Sequence, residues 1–237
     1  MKWFRDIGPG VLIAAAFIGP GTVTLCTIAG ASFGYSLIWA IILSTFSTIV
    51  LQEMSLRIGL VTRMNLAEVI RTSIKSKILN RFIILLIISS ILIGNTAYEA
   101  GNITGASLGI SAIINYESIN YIPVFIGLIA FVILIQGDYK ILEKSLVSLV
   151  IVMSISFFIT AIMTKPDITS LLKGIFKPQV NSSNLIVVLG LIGTTVVPYN
   201  IFLHSSLVSE KWNSIEKLKV ARIESFISIL LGGLVSL

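Results

Sequence analysis

With 237 residues, 55% of them hydrophobic and only 12% charged, the chain is too apolar to read as an ordinary soluble domain. Its formal net charge of +6 comes from 17 Lys and Arg against 11 Asp and Glu, and the runs 7–52, 82–98, 100–116, 118–137, 145–164 and 178–209 carry no charge at all. That distribution speaks against a nucleic-acid surface, whose basic residues would gather on one soluble face, and continuous Ile/Leu/Val runs speak against a β-barrel, whose strands alternate.

A helix rises ~1.5 Å per residue, so ~20 apolar residues cross a ~30 Å hydrocarbon core. Taken in chain order, the expected spans are 8–31, 35–56, 82–109, 120–136, 145–164 and 184–209, with a partial seventh over 220–237. Residues 1–237 therefore read as a single transmembrane domain, an all-α polytopic membrane protein whose seventh span is unfinished at Leu237. The first apolar run is too long for a cleaved signal peptide and a second follows at once, so the first run is read as a retained span. The connection 57–81 holds six basic residues beside Glu68 and predicts a short interfacial helix at Leu66–Arg71. The connection 165–183 contains Pro and Lys and falls on the opposite side.

Basic residues sort by loop. With the N-terminus in the cytoplasm, fourteen lie inside (Lys2, Arg5, Arg57, Arg63, Arg71, Lys75, Lys77, Arg81, Lys140, Lys144, Lys211, Lys217, Lys219 and Arg222) and three outside (Lys165, Lys173 and Lys177). That bias predicts a cytoplasmic N-terminus. The compact chain without transit signals suits a bacterial inner membrane. Cys26, the only cysteine, implies no disulfide framework and reads as a small packing residue.

Two spans are interrupted near their middles, the first by Gly19-Pro20-Gly21-Thr22 and the sixth by Pro198-Tyr199-Asn200 after Thr194-Thr195. Proline removes an amide donor and clashes with the preceding turn. Ordinary proline kinks are the bland explanation for one such break. Two, five spans apart, match transporters built from inverted five-helix repeats, in which irregular backbone at membrane depth lines the substrate site. Between them, Glu99 is the only charge between Arg81 and Glu117. A carboxylate at that depth costs at least ~2.5 kcal/mol unless paired, hydrated or protonated, so Glu99 is expected to face the bundle interior, with Asn95, Thr96, Asn102 and Thr104 completing a polar stripe. Its competing reading is a structural acid hydrogen-bonded to neighbouring spans. The single histidine, His204, is either a satisfied packing residue or a proton relay.

The stretches Gly8-Pro9-Gly10 through Gly19-Pro20-Gly21-Thr22, Ala29-Gly30-Ala31, Phe33-Gly34-Tyr35-Ser36, Leu51-Gln52-Glu53, Gly59-Leu60-Val61-Thr62 and Asn65-Leu66-Ala67-Glu68 follow the opening of the Nramp family of divalent-metal transporters. Gly193-Thr194-Thr195-Val196-Val197-Pro198-Tyr199-Asn200 with Leu203-His204-Ser205 resembles that family's other signature, G-A-T-V-M-P-H-N followed by L-H-S. The resemblance runs nearly the full length. It implies a LeuT-like inverted-repeat fold, here the first repeat plus the start of the second, and proton-linked uptake of ions such as manganese or iron. It places the substrate or ion site at Gly19, Thr22, Thr194, Val197, Tyr199 and Asn200, around breaks at Pro20, Gly21 and Pro198, with Glu99 and His204 as the proton or ion relay.

The departures from the family fall on that site. Gly19 stands where the usual D-P-G-N has its aspartate and Thr22 where it has its asparagine. Val197 replaces the metal-binding methionine, Tyr199 a histidine, Thr194 a small residue, and Asn102 the second of two acids that begin at Glu99. Carboxylate charge and thioether softness, which favour transition metals, are both missing. What remains is freed backbone carbonyls, the hydroxyls of Thr22, Thr194 and Thr195, the Tyr199 phenol and the Asn200 amide.

The expected function is a membrane transporter moving a metal ion by alternating access, with protons as coupling ion, no cofactor, and the lipid bilayer and a small ion or solute as partners; no nucleic acid is expected. Two alternatives stay open: a non-transporting, regulatory or decayed relative, and a carrier of a non-metal polar solute. An enzyme is disfavoured, since one His, one Cys and one deep carboxylate without H-E-x-x-H or G-x-S-x-G leave little for acid–base or metal-assisted chemistry.

Overall fold

Backbone in lipid must satisfy its own N–H and C=O groups, and in this chain it does so by helices. The computed structural model describes residues 9–113, 121–136, 139–212 and 214–237. Lys2, Arg5, Gly8 and Asn120, on which the sequence reading placed charges or span ends, lie outside the described residues. Eleven α-helices and no strand occur among the described residues: α1 Pro9–Phe17, α2 Pro20–Phe33, α3 Ile38–Thr62, α4 Leu66–Ser73, α5 Lys77–Ile113, α6 Ile122–Gln136, α7 Tyr139–Met163, α8 Ile168–Phe176, α9 Leu185–Thr195, α10 Pro198–Lys211 and α11 Leu218–Ser236.

Three helical stretches among these, Pro20–Thr62, Lys77–Ile113 and Leu185–Lys211, are long and apolar enough to cross a membrane, and a fourth is added if Ser148–Met163 and Ile168–Phe176, bent by 116°, count as one span. Length alone undercounts here, because Pro20–Thr62 runs through a 3-10 turn at Gly34–Leu37. Its 43 residues of helix would measure about 65 Å, roughly twice the hydrocarbon thickness.

Local chemistry sets the helix ends. Gly34 adopts φ 55° and ψ −133°, donates to the Gly30 carbonyl and closes α2 in a positive-φ conformation that glycine adopts without strain. Asn65 and Glu68 form a capping box at the start of α4, with Asn65 Oδ1 accepting from the Glu68 amide at 2.9 Å and Glu68 Oε2 from the Asn65 amide at 3.1 Å. That helix covers the interfacial segment expected at Leu66–Arg71 and runs to Ser73. The sequence reading left 165–183 as a connection, but it contains α8. Asp167 caps α8 by accepting from the amides of Thr169 and Ser170 at 3.1 and 3.2 Å, and the Ser170 hydroxyl first, with these amides, holds its carboxyl below the usual aspartate range.

The packing centres on α3, which meets α9, α10 and α11, while α1 lies against α10 and α11 and α2 against α5 and α9. One apolar cluster joins α2, α3 and α9 through Ala29, Leu37, Ala40, Ile41, Val188 and Leu191. A second gathers Ala14, Phe17, Ile18, Val197 and Ile229, so the two broken spans share one core. At Gly59 an added Cβ would lie 3.0 Å from Ser205 Cα, backbone against backbone, which is why α3 and α10 can approach so closely. Arg222 pairs with Glu53 (Nε to Oε1, 2.6 Å), tying α11 to α3 beside the Arg57–Glu53 pair.

Candidate ion site at the paired helix breaks

The first break falls at Ile18-Gly19, and Pro20 and Gly21 are already the first turn of α2. The second falls at Val196-Val197, with Pro198 opening α10. The prolines expected to interrupt the spans thus begin the second half-helices, where a missing N–H costs nothing. Their effect is felt four residues upstream. Ala16 loses its helical donor because residue 20 is proline, and Phe17 loses its own because the Gly21 amide points to Asn102 Oδ1 at 3.4 Å. By the same rule the Thr194 carbonyl has no donor at Pro198.

Hydroxyls fill these gaps. Thr22 Oγ1 donates to the Phe17 carbonyl at 2.7 Å and Tyr98 Oη to the same oxygen at 2.8 Å. Tyr199 Oη donates to the Ala16 carbonyl at 3.1 Å, and the rings of Tyr98 and Tyr199 meet edge to face with centroids 6.0 Å apart. At the second break, Thr48 of α3 donates to the Thr195 carbonyl at 3.2 Å, and one and two turns along the same helix Gln52 and Ser55 reach His204 and the Ile201 carbonyl. The buried row Ser44, Thr48, Gln52, Ser55, Gly59 is therefore the face on which the broken sixth span rests.

Of the residues singled out in the sequence, Thr22, Val197, Asn200 and His204 are buried, and Gly19, Gly21, Thr194 and Tyr199 are partly so. Thr194 turns its hydroxyl back to the Leu191 carbonyl at 3.2 Å. Val197 sits in the apolar cluster with Phe17 and Ile18 and offers no ligand. The Asn200 amide nitrogen reaches the Ile13 carbonyl at 3.5 Å, while its Oδ1 has no partner among the described residues. His204 is fixed through Nδ1 to Gln52 Oε1 at 2.9 Å, and its Nε2 is buried without a partner among the described residues.

Glu99 departs from expectation. It is exposed on α5, a helix on which only Ser107 is buried among the described residues, and Asn95, Thr96 and Thr104 are exposed with it. The Asn102 amide donates to Glu99 Oε2 at 3.3 Å, so the polar stripe exists, with Asn102 half-buried against the first break and its other members exposed. Asn102 Oδ1 also occupies the space where a Gly19 side chain would begin, which couples two of the departures from the family motif. Among the described residues no group of three or more His, Cys, Asp and Glu side chains is placed to hold a metal ion. Sequence reasoning missed Tyr98, Thr48, Gln52 and Ser55 as functional candidates. The α3 row was marked by polar residues at helical spacing, Thr48 and Gln52 at the end of a charge-free run and Ser55 just beyond it; nothing marked Tyr98.

A family model described as natural resistance-associated macrophage protein-like matches residues 10–237. The chain belongs to the Nramp family. Two similar Nramp relatives are the metal transporter nramp1 homolog of Dictyostelium discoideum, 31% identical over 97% of this chain and 44% of its own length, and the divalent metal cation transporter MntH of Bacillus subtilis (strain 168), 30% identical over 97% and 54%. The chain spans about half the length of the curated relatives it matches. The crystal structure of the Eremococcus coleocola manganese transporter superposes with TM-score 0.75 at 22% identity, covering 99% of this chain and 51% of that one. The fold is therefore the LeuT-like inverted-repeat fold of Nramp proteins, with the first repeat and the start of the second present here, and the chain is a membrane protein.

Proposed function

We propose that the protein moves a divalent metal cation across a membrane by alternating access, as part of an Nramp transporter in which the two broken spans form the ion site. The observation that carries this reading is the meeting of the two breaks: Tyr199 of the second bonds the Ala16 carbonyl of the first, and Val197 packs on Phe17 and Ile18. Two half-helix ends facing each other at membrane depth give a pair of oppositely oriented dipoles and freed carbonyl oxygens around one point. The relatives named as divalent metal cation transporters support the choice of substrate.

The donors on hand are neutral oxygens: the Ala16, Phe17 and Thr194 carbonyls, the hydroxyls of Thr22, Thr194 and Tyr199, and Asn200 Oδ1. Gly19 contributes only backbone. Such a set favours hard cations over thioether-selected transition metals. His204, held by Gln52 through Nδ1, and Glu99, bonded by Asn102, are the residues of the proton relay in this reading. The chain forms one transmembrane domain with its N-terminus in the cytoplasm of a bacterial inner membrane, and it is no enzyme.

Proteoliposome flux with the full-length protein tests this. Uptake of manganese(II) or magnesium, accelerated by an inward proton gradient, is expected; if none of these ions moves, the transport reading falls. One observation favours a non-transporting relative instead: the Ala16 and Phe17 carbonyls already have hydroxyl donors. Flux separates the two readings.

A further inference from the structure

The first break presents two carbonyl oxygens toward the junction of the half-helices, and both are taken. Phe17 O accepts from Thr22 Oγ1 at 2.7 Å and from Tyr98 Oη at 2.8 Å, which fills both of its lone pairs. Ala16 O accepts from Tyr199 Oη at 3.1 Å. The two phenols come from different helices, α5 and α10, yet their rings are packed edge to face at 72° with centroids 6.0 Å apart. Thr22 Oγ1 and Tyr98 Oη lie 3.2 Å from each other, so three hydroxyls and two rings form one continuous group.

We propose that Tyr98 and Tyr199 gate the ion site: their hydroxyls hold the Phe17 and Ala16 carbonyls closed, and a hard divalent cation reaches those oxygens only when both phenols leave. The inference rests on the cation reading above and names its gate. A cation is a competitor for these lone pairs, and with no carboxylate at residue 19 to draw it in, it must displace the donors unaided. Both tyrosines are half-buried at the edge of the cluster of Phe17, Ile18 and Val197, so each ring leaves by giving up edge contacts and not a fully buried position. A pocket of about 200 Å³ opens at Thr22, lined also by Ile18, Cys26, Phe157, Ser236 and Leu237 and not by either phenol, with room for an ion and a few waters at about 30 Å³ each. Hydroxyls also accept, so once Tyr98 has left, Thr22 can rotate from donor on Phe17 O to ligand.

Phenylalanine tests the gate, because it keeps each ring and the edge-to-face contact and deletes only the hydroxyl. The purified chain in lipid nanodiscs is titrated with manganese(II), free ion being read by electron paramagnetic resonance, and thermal melting checks that each variant is folded. Tyr98→Phe and Tyr199→Phe alone are expected to change binding little, because each leaves one carbonyl closed. The double variant is expected to bind at least about tenfold more tightly than wild type, more than the two single effects combined. A purely structural role would lower melting without raising affinity. Should the variants not fold, the wild-type chain serves: manganese(II) is expected to accelerate maleimide labelling of Cys26 on the cavity wall severalfold, and an unchanged rate overturns the gate.

Wild type and double variant binding equally, or neither binding, also overturns it. Flux separates that failure from failure of the transport reading. Uptake by the full-length protein with no gain in the double variant removes the gate and keeps cation transport. No uptake and no binding in any variant removes both.

Discussion

At the first break the freed carbonyls are met by side chains from three helices, Thr22 on α2, Tyr98 on α5 and Tyr199 on α10. At the second the partners come from a row on α3, Thr48, Gln52 and Ser55, nearly all of it buried. Around the first break carbonyls accept from half-buried phenols, and around the second they accept from a rigid buried helix face, at Thr195 and Ile201. The second arrangement anchors a span; the first leaves its span free to change partners.

The largest test of the anchor is Gly59→Val. A side chain there meets the backbone of Ser205, and neither helix axis can yield without opening the α3–α10 interface, so a loss of about 3 kcal/mol is expected, read as a lowered denaturation midpoint in detergent. Next comes Gln52→Leu, which leaves His204 Nδ1 buried without its acceptor and is expected to cost about 2 kcal/mol in the same measurement. Tyr199→Phe, at a half-buried site, should cost less than about 1 kcal/mol. If Tyr199→Phe proves the more damaging of the two, the contrast between anchor and gate is lost.

A smaller effect sharpens the first break. Gly19→Ala must push the Asn102 side chain aside and break its bonds to Gly21 and Glu99, whereas in an Asn102→Ala background the space is open. A double-mutant cycle by thermal melting should return a coupling of about 1 kcal/mol, and additivity would show that the two positions do not touch. By the same logic, restoring the family motif with Gly19→Asp, Thr22→Asn and Val197→Met needs Asn102 shortened as well before manganese binding appears in calorimetry. The smallest effect lies at α8, outside both breaks. The Asp167 carboxyl titrates below its unfolded value, so its stabilisation of α8 is present above the ordinary aspartate pKa of about 4 and is lost as pH falls through the lowered folded value. Hydrogen exchange across 167–176, corrected for intrinsic rates, should show that loss on acidification, and Asp167→Asn should abolish the dependence.

The helical class, the apolar runs and both breaks were legible because each is a local property: hydrocarbon demands length and apolarity, and proline removes its own N–H wherever it stands. α4 was legible from the basic connection 57–81 around Glu68, although the capping box that starts it was not read. α8 was passed over because Pro166, Lys165 and Lys173 made its segment look like plain connection, although Asp167 before Ile168 carried the cap. Gly19, Thr22, Val197, Tyr199 and Asn200 were singled out through the family motif, and the structure puts Thr22, Val197 and Tyr199 against residues 16–18 of the first break. Glu99 was assigned to the interior on cost alone, and cost does not say which face of α5 the rest of the chain covers.

By itself, then, the sequence determined that this is a membrane-embedded helical chain with two interrupted spans, which depart from the family motif at Gly19, Thr22 and Val197. It could not determine what meets the freed carbonyls. Ala16 and Tyr199 are 183 residues apart in sequence and Tyr98 lies 81 from Phe17, so no local pattern connects a freed carbonyl to its hydroxyl. Only the packing of α1 against α10 and of α2 against α5 brings those donors into reach, because a hydrogen bond acts over about 3 Å and only the fold sets which groups come that close.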